Sequence, residues 1–532
     1  MENSTNIEPT SNFILIQILK KHWKELIATA IFAFLLYSVM ITNELTNTYD
    51  GMWHGVYGYA NSWELSIGRW FWLAIDRLRL GITTEPGISL LSLLCFTIGN
   101  IVAEEMLQIW RKLSKAIFLI FLIANTSVCI FLSYRYTVLP FSLSYLFSVL
   151  GAFSFVSMYR YNRSKIVYSI LTVCCITLSL GLYQADIGCT LILLSFVLLK
   201  NLWQVQVESI KKHLIKMIHA IVLIGCACIV YAGIWKICLL LMHTQKSTYN
   251  GAGSVSVMSI LSGLPRSIHT AYTSFLQYFM PGQWQNIYQK NYIFVLALAI
   301  FLIFIIIYTI INKTKWSNKI LSLICIILLP LLANVCLLLA PESNGLSLQM
   351  TMPMALIIPG FFGLVDSIDK KELNVQIPKL ISVIYFAFII FIAFGNIMMV
   401  STDQHVMLQS KNTSTALMDR IITDTSDELN NLNNIQVVFS GVPANNSLYQ
   451  KDVFWNQSNN YSHYGDFWTS GNCITQSYFG FLRDCGINVN LLSDYQKYHQ
   501  IIESQEVKKM PVYPEKGYVK VVNGYLVIKI SQ

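Results

Sequence analysis

Three acidic residues between positions 43 and 86 have the type and setting that proton transfer requires. Asp50 stands between a tyrosine and a glycine, so a turn can hold it in place, and Glu64 and Asp76 follow in the same region. A carboxylate acts as a general base when a substrate hydroxyl comes within hydrogen-bonding reach. Asp50 and Glu64 are therefore candidate catalytic residues, and Asp76 is a candidate substrate ligand.

Arginine and tryptophan residues lie among these acids, at Arg69, Trp70 and Arg77. Arginine binds phosphate through two parallel hydrogen bonds, and an indole ring offers a flat apolar face. The region therefore suits a phosphorylated, lipid-anchored substrate together with a second, hydroxyl-bearing one. The alternatives are that Trp70 belongs to an aromatic belt at a membrane surface, and that Asp76 and Arg77 are plain surface charges of a helix.

A second constellation, Tyr183-Gln184-Ala185-Asp186, stands in a short turn between two apolar runs. An ionisable group at the edge of a membrane is a functional-site hypothesis by default. Asp186 is therefore a candidate catalytic residue, and Tyr183 and Gln184 are candidate substrate ligands. The alternative is that Asp186 caps the helix that follows it.

Other charged residues occur in the remaining connections between apolar runs. Arg266 and Glu342 are further candidate substrate ligands, and Arg135 lies in another short turn. The adjacent Glu104 and Glu105 fall at the far end of an apolar run, and we expect solvent around them.

The composition indicates a membrane protein. Of the 532 residues, 54% are hydrophobic and 12% are charged, whereas a soluble domain carries about 25% charge. The net charge of +9 is spread over short clusters, which argues against a nucleic-acid partner. No phosphate-binding glycine loop, histidine metal cluster or nucleotide-fold signature is present. The sequence therefore predicts no cofactor, and a divalent metal ion, although chemically possible, has no support.

The apolar residues form runs long enough to cross a hydrocarbon layer of about 30 Å. We predict an all-α polytopic fold of about eleven spans, at 26–42, 87–107, 116–134, 140–158, 166–183, 187–203, 217–242, 292–311, 320–340, 350–366 and 378–400.

Basic clusters occur at every second connection of this pattern, and cytoplasmic connections are the ones enriched in lysine and arginine. This predicts a cytoplasmic N-terminus and an extracytoplasmic C-terminus. The six clusters contain Lys20, Lys21 and Lys24; Arg111, Lys112 and Lys115; Arg160, Arg163 and Lys165; Lys200, Lys211, Lys212 and Lys216; Lys313, Lys315 and Lys319; and Lys370, Lys371 and Lys379.

Two domains follow from this layout. Residues 1–400 form the transmembrane domain, with long outer loops at 43–86 and 243–291 that contain amphipathic helices. Residues 401–532 form an extracytoplasmic α+β domain. In it, 435–439 reads as a buried strand, and Asn523-Gly524 between two apolar stretches is a strong hairpin signal. Cys473 and Cys485 could pair in an oxidising exterior.

Three sequence features resemble one known family, the serotype-converting O-antigen glucosyltransferases of Gtr type II. They are the Asp50 region followed by Trp63-Glu-Leu-Ser-Ile-Gly-Arg-Trp70, the Tyr183-Gln184 pair, and Met510-Pro-Val-Tyr-Pro-Glu-Lys-Gly517 before a hairpin. The layout of the whole chain is also similar to that family.

This resemblance implies a GT-C type glycosyltransferase in a bacterial plasma membrane. Such enzymes transfer a sugar from a polyprenyl-phosphate carrier to a polysaccharide outside the cytoplasm, and Asp50 matches the position of their base. Many relatives have two adjacent acids there, so it stays open whether Glu64 or Asp76 supplies a second carboxylate. The resemblance implies inversion at the anomeric carbon. The expected partners are the lipid-linked sugar (glucose or an N-acetylglucosamine-like sugar), a cell-surface polysaccharide or teichoic acid acceptor, and membrane lipids.

The alternative function is a transporter or flippase of lipid-linked sugars. Transporters tend to show internal repeats and polar residues at the middle of interrupted spans. No repeat is visible here, and the polar candidates lie at the ends of the spans, which favours surface chemistry over translocation. A non-catalytic recognition protein would leave the acids and arginines of 43–86 unexplained.

Overall fold

The computed structural model describes residues 14–204, 209–249, 257–280, 292–339, 346–367, 379–431, 435–449, 464–468 and 474–532. Its first part, up to position 204, is helical. The helices are α1 Ile14–Lys21, α2 Trp23–Leu36, α3 Ser38–Thr42, α4 Thr48–His54, α5 Ser62–Ser66, α6 Trp70–Leu78, α7 Gly87–Leu107, α8 Lys112–Ile123, α9 Thr126–Ser133, α10 Val138–Arg160, α11 Lys165–Leu182 and α12 Ile187–Trp203.

Helices also make up the rest of the described apolar part. They are α13 Ile210–Leu241, α14 Val257–Phe279, α15 Ile293–Ile311, α16 Trp316–Ala333, α17 Val335–Leu339, α18 Met352–Ala355, α19 Ile357–Ser367 and α20 Lys379–Asn431. The C-terminal part contains α21 Ile474–Asp484, α22 Tyr495–Ile502 and α23 Gln505–Lys509, with the strands β1 Gln436–Ser440, β2 Val519–Val522 and β3 Tyr525–Lys529.

Seven of the described helices are long and apolar enough to cross a membrane, and the bent pair α8–α9 makes an eighth if it is one span. The predicted runs at 87–107 and 187–203 coincide with α7 and α12. The run at 26–42 is divided at Tyr37, where α2 ends and α3 begins. The all-α membrane fold is therefore confirmed, and the count of eleven spans stays a prediction.

Three of the predicted basic clusters meet at one end of the bundle, which we call the basic end. Lys21 pairs with Glu105 at 2.8 Å, and Lys115 pairs with Glu104 at 2.9 Å. Arg160 donates a hydrogen bond to the Met106 carbonyl oxygen at 2.8 Å. The clusters before α2, after α7 and after α10 thus share one face, as the alternation of basic connections predicts.

The expectation that solvent surrounds Glu104 and Glu105 is wrong. The two residues are 0% and 7% exposed, because side chains of neighbouring helices, among them Lys21 and Lys115, surround the end of α7. His22 lies 2.9 Å from Glu105 and 3.9 Å from Glu104, so the two acids are held in an ion-pair cluster inside the bundle. Isolated buried charges are costly, and pairing is what makes this arrangement tolerable.

The C-terminal part is a small α+β domain, as predicted. Its three strands are ordered β1-β3-β2, with β1 parallel and β2 antiparallel to β3. Asn523 and Gly524 have φ angles of 51° and 82°, which a two-residue type I′ hairpin turn requires. The predicted hairpin is therefore present, and the predicted strand at 435–439 is β1.

Helix α20 joins the two parts without a break. Its 53 residues correspond to about 80 Å at 1.5 Å per residue. The predicted boundary between positions 400 and 401 therefore falls inside a continuous helix that runs from the bundle into the C-terminal domain. Cys473 lies outside the described residues, so its pairing with Cys485 stays a prediction.

Candidate active site

Helix α4, at the end of the bundle opposite the basic end, carries Asp50. The backbone of Asp50 is helical, and its side chain lies outside the described part of the chain. A residue with a Cβ in place of Gly51 would collide with the Thr46 side chain. The preceding segment is fixed to α9, because the Asn47 amide donates to the Ser133 carbonyl oxygen at 2.7 Å.

The C-terminal domain holds this helix from the other side. Arg483 of α21 donates hydrogen bonds to the carbonyl oxygens of Met52 and Trp53 at 2.5 and 2.8 Å. The rings of Trp53 and Phe479 lie 5.3 Å apart. Gly480 lies so close to the Met52 carbonyl that any side chain there would overlap it. The helix of the candidate base is thus clamped between the two domains.

Arg135, in the turn between α9 and α10, lies beneath α4. It is 3% exposed, and it lies 3.5 Å from Glu44, 3.6 Å from Asp484 and 3.4 Å from the Gly51 carbonyl oxygen. Each of these three contacts to described residues is long for a hydrogen bond or an ion pair. Burial raises the pKa of nearby Glu85 to about 7, while hydrogen bonds from Ser89 and the Arg135 charge act in the opposite direction.

Asp76 is the centre of a second cluster and is not a surface charge. It is 0% exposed, pairs with Arg79 at 2.8 Å, and accepts hydrogen bonds from the Ala60 amide at 2.6 Å and the Tyr136 hydroxyl at 3.4 Å. Burial raises the pKa of Asp76 to about 6, against the opposing effect of Arg79. The carboxylate ties α6 to the 55–60 segment and to the turn before α10.

The Tyr136 ring joins this cluster to α4. It stacks on the His54 ring at 3.8 Å and on Trp72 at 5.8 Å. Burial lowers the pKa of His54 to about 4, and Arg79 and Arg483 lower it further, so the imidazole is neutral at physiological pH. The last residue of α4 thus contacts the same ring that hydrogen bonds with Asp76.

Glu64 stabilises the start of helix α5. Its carboxylate accepts a hydrogen bond from the Asn61 amide at 2.8 Å, while the Asn61 side chain caps α5 in return. This is a capping box, which satisfies two backbone donors at a helix start. Glu64 is 6% exposed, and its carboxylate is engaged in the local structure of the loop.

Gly68 separates α5 from α6. Its φ angle is +90°, and a Cβ there would meet the Tyr231 hydroxyl and the Gln184 side chain. Gln184 donates hydrogen bonds to the Ile67 carbonyl oxygen at 2.9 Å and to the Tyr231 hydroxyl at 3.0 Å. The predicted ligand Gln184 therefore holds the turn that presents Arg69.

Arg69 lies among aromatic rings. Its guanidinium carbon is 5.1 Å from the Tyr183 ring centre, 5.3 Å from Trp72 and 5.9 Å from Phe141. Its Nε atom is buried without a hydrogen-bond partner among the described residues. Trp70 is half-buried and packs on Gly181, so it is part of the helix contact. The structure thus brings together Arg69 and Tyr183, two of the predicted substrate ligands.

Asp186 lies in the 3-10 turn Gln184–Asp186 and is 0% exposed. It makes no side-chain capping bond to α12, so the alternative that it caps that helix is wrong. Neither carboxylate oxygen makes a hydrogen bond of standard geometry to a described residue, although the Ser144 side chain lies close to the carboxyl group. The backbone oxygen of Asp186 accepts a hydrogen bond from Ser148 at 2.6 Å.

Two other predicted ligands lie apart from these clusters, and a third is not among the described residues. Arg77 and Arg266 are exposed on α6 and α14, and Glu342 lies outside the described residues. Arg77 therefore lies where the alternative interpretation, a surface charge of a helix, placed it. Within the described ranges, no group of three or more His, Cys, Asp or Glu side chains could hold a metal ion.

Sequence reasoning missed Tyr136, His54 and Arg483. Tyr136 stands next to Arg135 in a polar turn, a signal that could have been used. Arg483 lies 433 positions after Asp50 by their numbers, and no local pattern connects the two.

The fold and the site define a helical membrane protein whose acids, arginines and aromatic rings gather at one end of the bundle. The chain belongs to the glucosyl transferase GtrII family, whose model matches residues 38–364, more than half of the chain. The match extends from α3 into α19 and includes Asp50, Arg69, Asp76, Arg135 and Asp186. The resemblance to the Gtr type II glucosyltransferases is thereby confirmed. No curated protein and no solved structure matches the chain.

Proposed function

We propose that the protein transfers a glucosyl unit from a polyprenyl-phosphate carrier to a cell-surface polysaccharide outside the cytoplasm. The observation that carries this proposal is that the matched glucosyltransferase region holds Asp50 on a helix fixed between the bundle and the C-terminal domain. The basic end would then face the cytoplasm, and α4 would lie at the outer surface of a bacterial plasma membrane. This placement leaves a lipid-linked donor as the source of activated sugar.

In the proposed reaction Asp50 is the general base. The acceptor hydroxyl oxygen attacks the anomeric carbon and its proton passes to the Asp50 carboxylate. The bond between the anomeric carbon and the phosphate oxygen breaks, and the electron pair leaves with polyprenyl phosphate. A single displacement of this kind inverts the configuration at that carbon.

Arg69 is the arginine best placed to stabilise the leaving phosphate. Its guanidinium is not engaged in an ion pair among the described residues, whereas Arg79 is paired with Asp76. Ring contacts connect it through Trp72 and Tyr136 to His54 on the helix of Asp50. Arginine binds phosphate oxygens in a bidentate manner, and a preorganised cation there would lower the barrier to phosphate departure.

The test is a transfer assay with the purified full-length protein, synthetic polyprenyl-phosphate glucose and surface polysaccharide. Asp50→Asn should lose transfer by roughly 10²–10⁴-fold, the range for removing a general base. Asp419→Asn, an exposed aspartate on α20, serves as the matched control and should keep the wild-type rate. Full turnover by Asp50→Asn would exclude Asp50 as the base. Adding EDTA to the same assay decides whether a divalent metal takes part.

A flippase would move the lipid-linked sugar across the bilayer without consuming it. Vesicles with labelled polyprenyl-phosphate glucose distinguish the two functions. Loss of label from the lipid supports the transferase, and label that changes leaflet while still attached to lipid would overturn it.

A further inference from the structure

A cleft of about 1020 Å³ opens in the C-terminal domain beside α4. Its walls come from α21, α22, the end of β1 and the 488–493 segment. Leu491 of this segment forms a parallel bridge with Val437 of β1, so the wall is part of the folded domain. This volume lies at the upper end of the range for ligand-binding sites, which is about 300–1,000 Å³.

Three aromatic side chains line the cleft and remain accessible. Trp53, Phe479 and Tyr495 are 44%, 38% and 62% exposed. By contrast, Tyr498 donates its hydroxyl to the Phe439 carbonyl oxygen at 3.0 Å and supports the wall. Rigid rings with accessible faces supply contact area at low entropic cost, and the flat apolar faces of sugar rings are complementary to them.

Polar side chains with unused hydrogen-bonding groups lie between the rings. Thr475, Gln476, Asn488 and Asn490 line the cleft, and their side chains make no hydrogen bond to another described residue. Hydroxyl and amide groups both donate and accept, as recognition of sugar hydroxyls requires.

The charges along the cleft have both signs. The Lys529 ammonium is already bonded to the carbonyl oxygens of Lys508 and Met510, each at 3.0 Å. Glu503 lies 3.9 Å from His499, and Lys508 adds one cation. Lys529 thus faces the protein's own carbonyl oxygens, and the remaining charges, Lys508 and Glu503, are opposite in sign. This lining favours a neutral ligand over a strongly charged one.

The cleft leads to the helix of the candidate base. Trp53 is the wall residue contributed by α4, and it follows Asp50 by three positions. Three residues correspond to about 4.5 Å along a helix axis. A chain lying in the cleft would therefore reach the backbone of the candidate base at its Trp53 end.

We propose that this cleft binds a short stretch of a neutral acceptor glycan, with Trp53, Phe479 and Tyr495 against its sugar rings and the reacting hydroxyl at the Trp53 end. This inference rests on the proposed function, because it names the place where the acceptor of that reaction binds. It gives the C-terminal domain, which lies outside the matched range 38–364, the role of holding the acceptor.

The experiment uses full-length protein in nanodiscs and surface polysaccharide extracted from a strain lacking this gene, so that its acceptor sites are unmodified. The glycan is treated with proteinase before use. Binding is measured by biolayer interferometry, and transfer is measured with polyprenyl-phosphate glucose. The variants are Tyr495→Ala and Asn488→Ala, both at exposed positions. The control is Tyr249→Ala, an aromatic residue 54% exposed that does not line the cleft.

We expect each cleft variant to weaken glycan binding about tenfold and to raise KM for the glycan by a similar factor, with the change in kcat below twofold. Tyr249→Ala should match wild type, and all three should unfold at the wild-type temperature. Unchanged affinity and KM in both cleft variants would overturn the proposal, as would binding that disappears after proteinase treatment. Donor consumption by wild type tests the proposed function separately. Glycan binding that depends on Tyr495 without donor consumption would contradict the transferase and leave the cleft assignment standing.

Discussion

The Arg483 guanidinium donates a hydrogen bond of 2.8 Å to the carbonyl oxygen of Trp53. Arg483 belongs to the C-terminal domain, and Trp53 belongs to the last turn of α4. The final carbonyl oxygens of a helix have no partner within it, and a cation there is favourable to the helix dipole. The C-terminal domain therefore helps to fix the position of the helix that carries Asp50.

Replacing Arg483 by methionine should reduce transfer by tenfold or more. The variant loses both bonds to α4, and hydrogen bonds to charged groups contribute about 1.5–3 kcal/mol each, whereas about 1.4 kcal/mol of barrier is already tenfold in rate. The initial rate of glucosyl transfer is the measurement. Lys497→Met, which removes an exposed cation of the same domain, is the control. Equal rates for Arg483→Met and wild type would show that α4 holds its position without the clamp.

Alanine at Gly68 should disturb the turn that presents Arg69. The backbone φ of +90° and the closeness of Tyr231 and Gln184 leave no room for a methyl group, and such strain costs about 1–3 kcal/mol. We expect a lower unfolding temperature and a slower transfer, measured on the same preparation.

Gly225→Ala is the matched control for this substitution. Gly225 lies within α13, and a methyl group there would have no neighbouring atom within 4 Å. Alanine at this position should keep or raise stability, by about 0.4–1 kcal/mol. If both alanine variants behave alike, the turn at Gly68 is not specific for glycine.

Hydrophobic periodicity predicted the helices, and the basic clusters predicted which helix ends lie on the same side of the bundle. Both features depend on local sequence and on the surrounding solvent. The contact between Arg69 and Tyr183 was not predicted, although a motif and a turn had marked each of them as a candidate ligand. The burial of Asp76 and Glu104 did not follow from the sequence, because an acid in an amphipathic stretch or at the end of an apolar run looks exposed until its partners are known. Arg79 supplies the partner of Asp76, and Lys115 supplies that of Glu104. The clamp by Arg483 could not be predicted, since it joins residues hundreds of positions apart.

Asp76→Asn should change stability in a pH-dependent way. The folded pKa of about 6 lies above the ordinary value of 3.8, so the folded protein favours the neutral carboxyl. The stabilisation from the proton is complete below about pH 4 and is lost as the pH rises through 6. The advantage of wild type over the always neutral Asn variant should therefore be larger at pH 4.5 than at pH 7.5, by about 2 kcal/mol.

Chemical unfolding at the two pH values measures this difference. Asp494→Asn, at a helix start where Asn caps as well as Asp does, should match wild type at both. An advantage of wild type that grows toward pH 7.5 would mean that the ionised pair with Arg79 outweighs the cost of burial.

Glu104→Gln should strongly destabilise the basic end, whereas Glu506→Gln should not. Glu104 is 0% exposed and pairs with Lys115 at 2.9 Å, so the substitution leaves a largely buried ammonium without its partner, at a cost of about 3–5 kcal/mol. Glu506 pairs with Lys520 at 2.8 Å, but both side chains are about half exposed, and such pairs contribute about 0–1 kcal/mol. The two ion pairs have nearly equal lengths, so the comparison isolates burial. Thermal unfolding of the two variants measures the difference. Equal losses of stability would show that water reaches the ion pairs around Glu104.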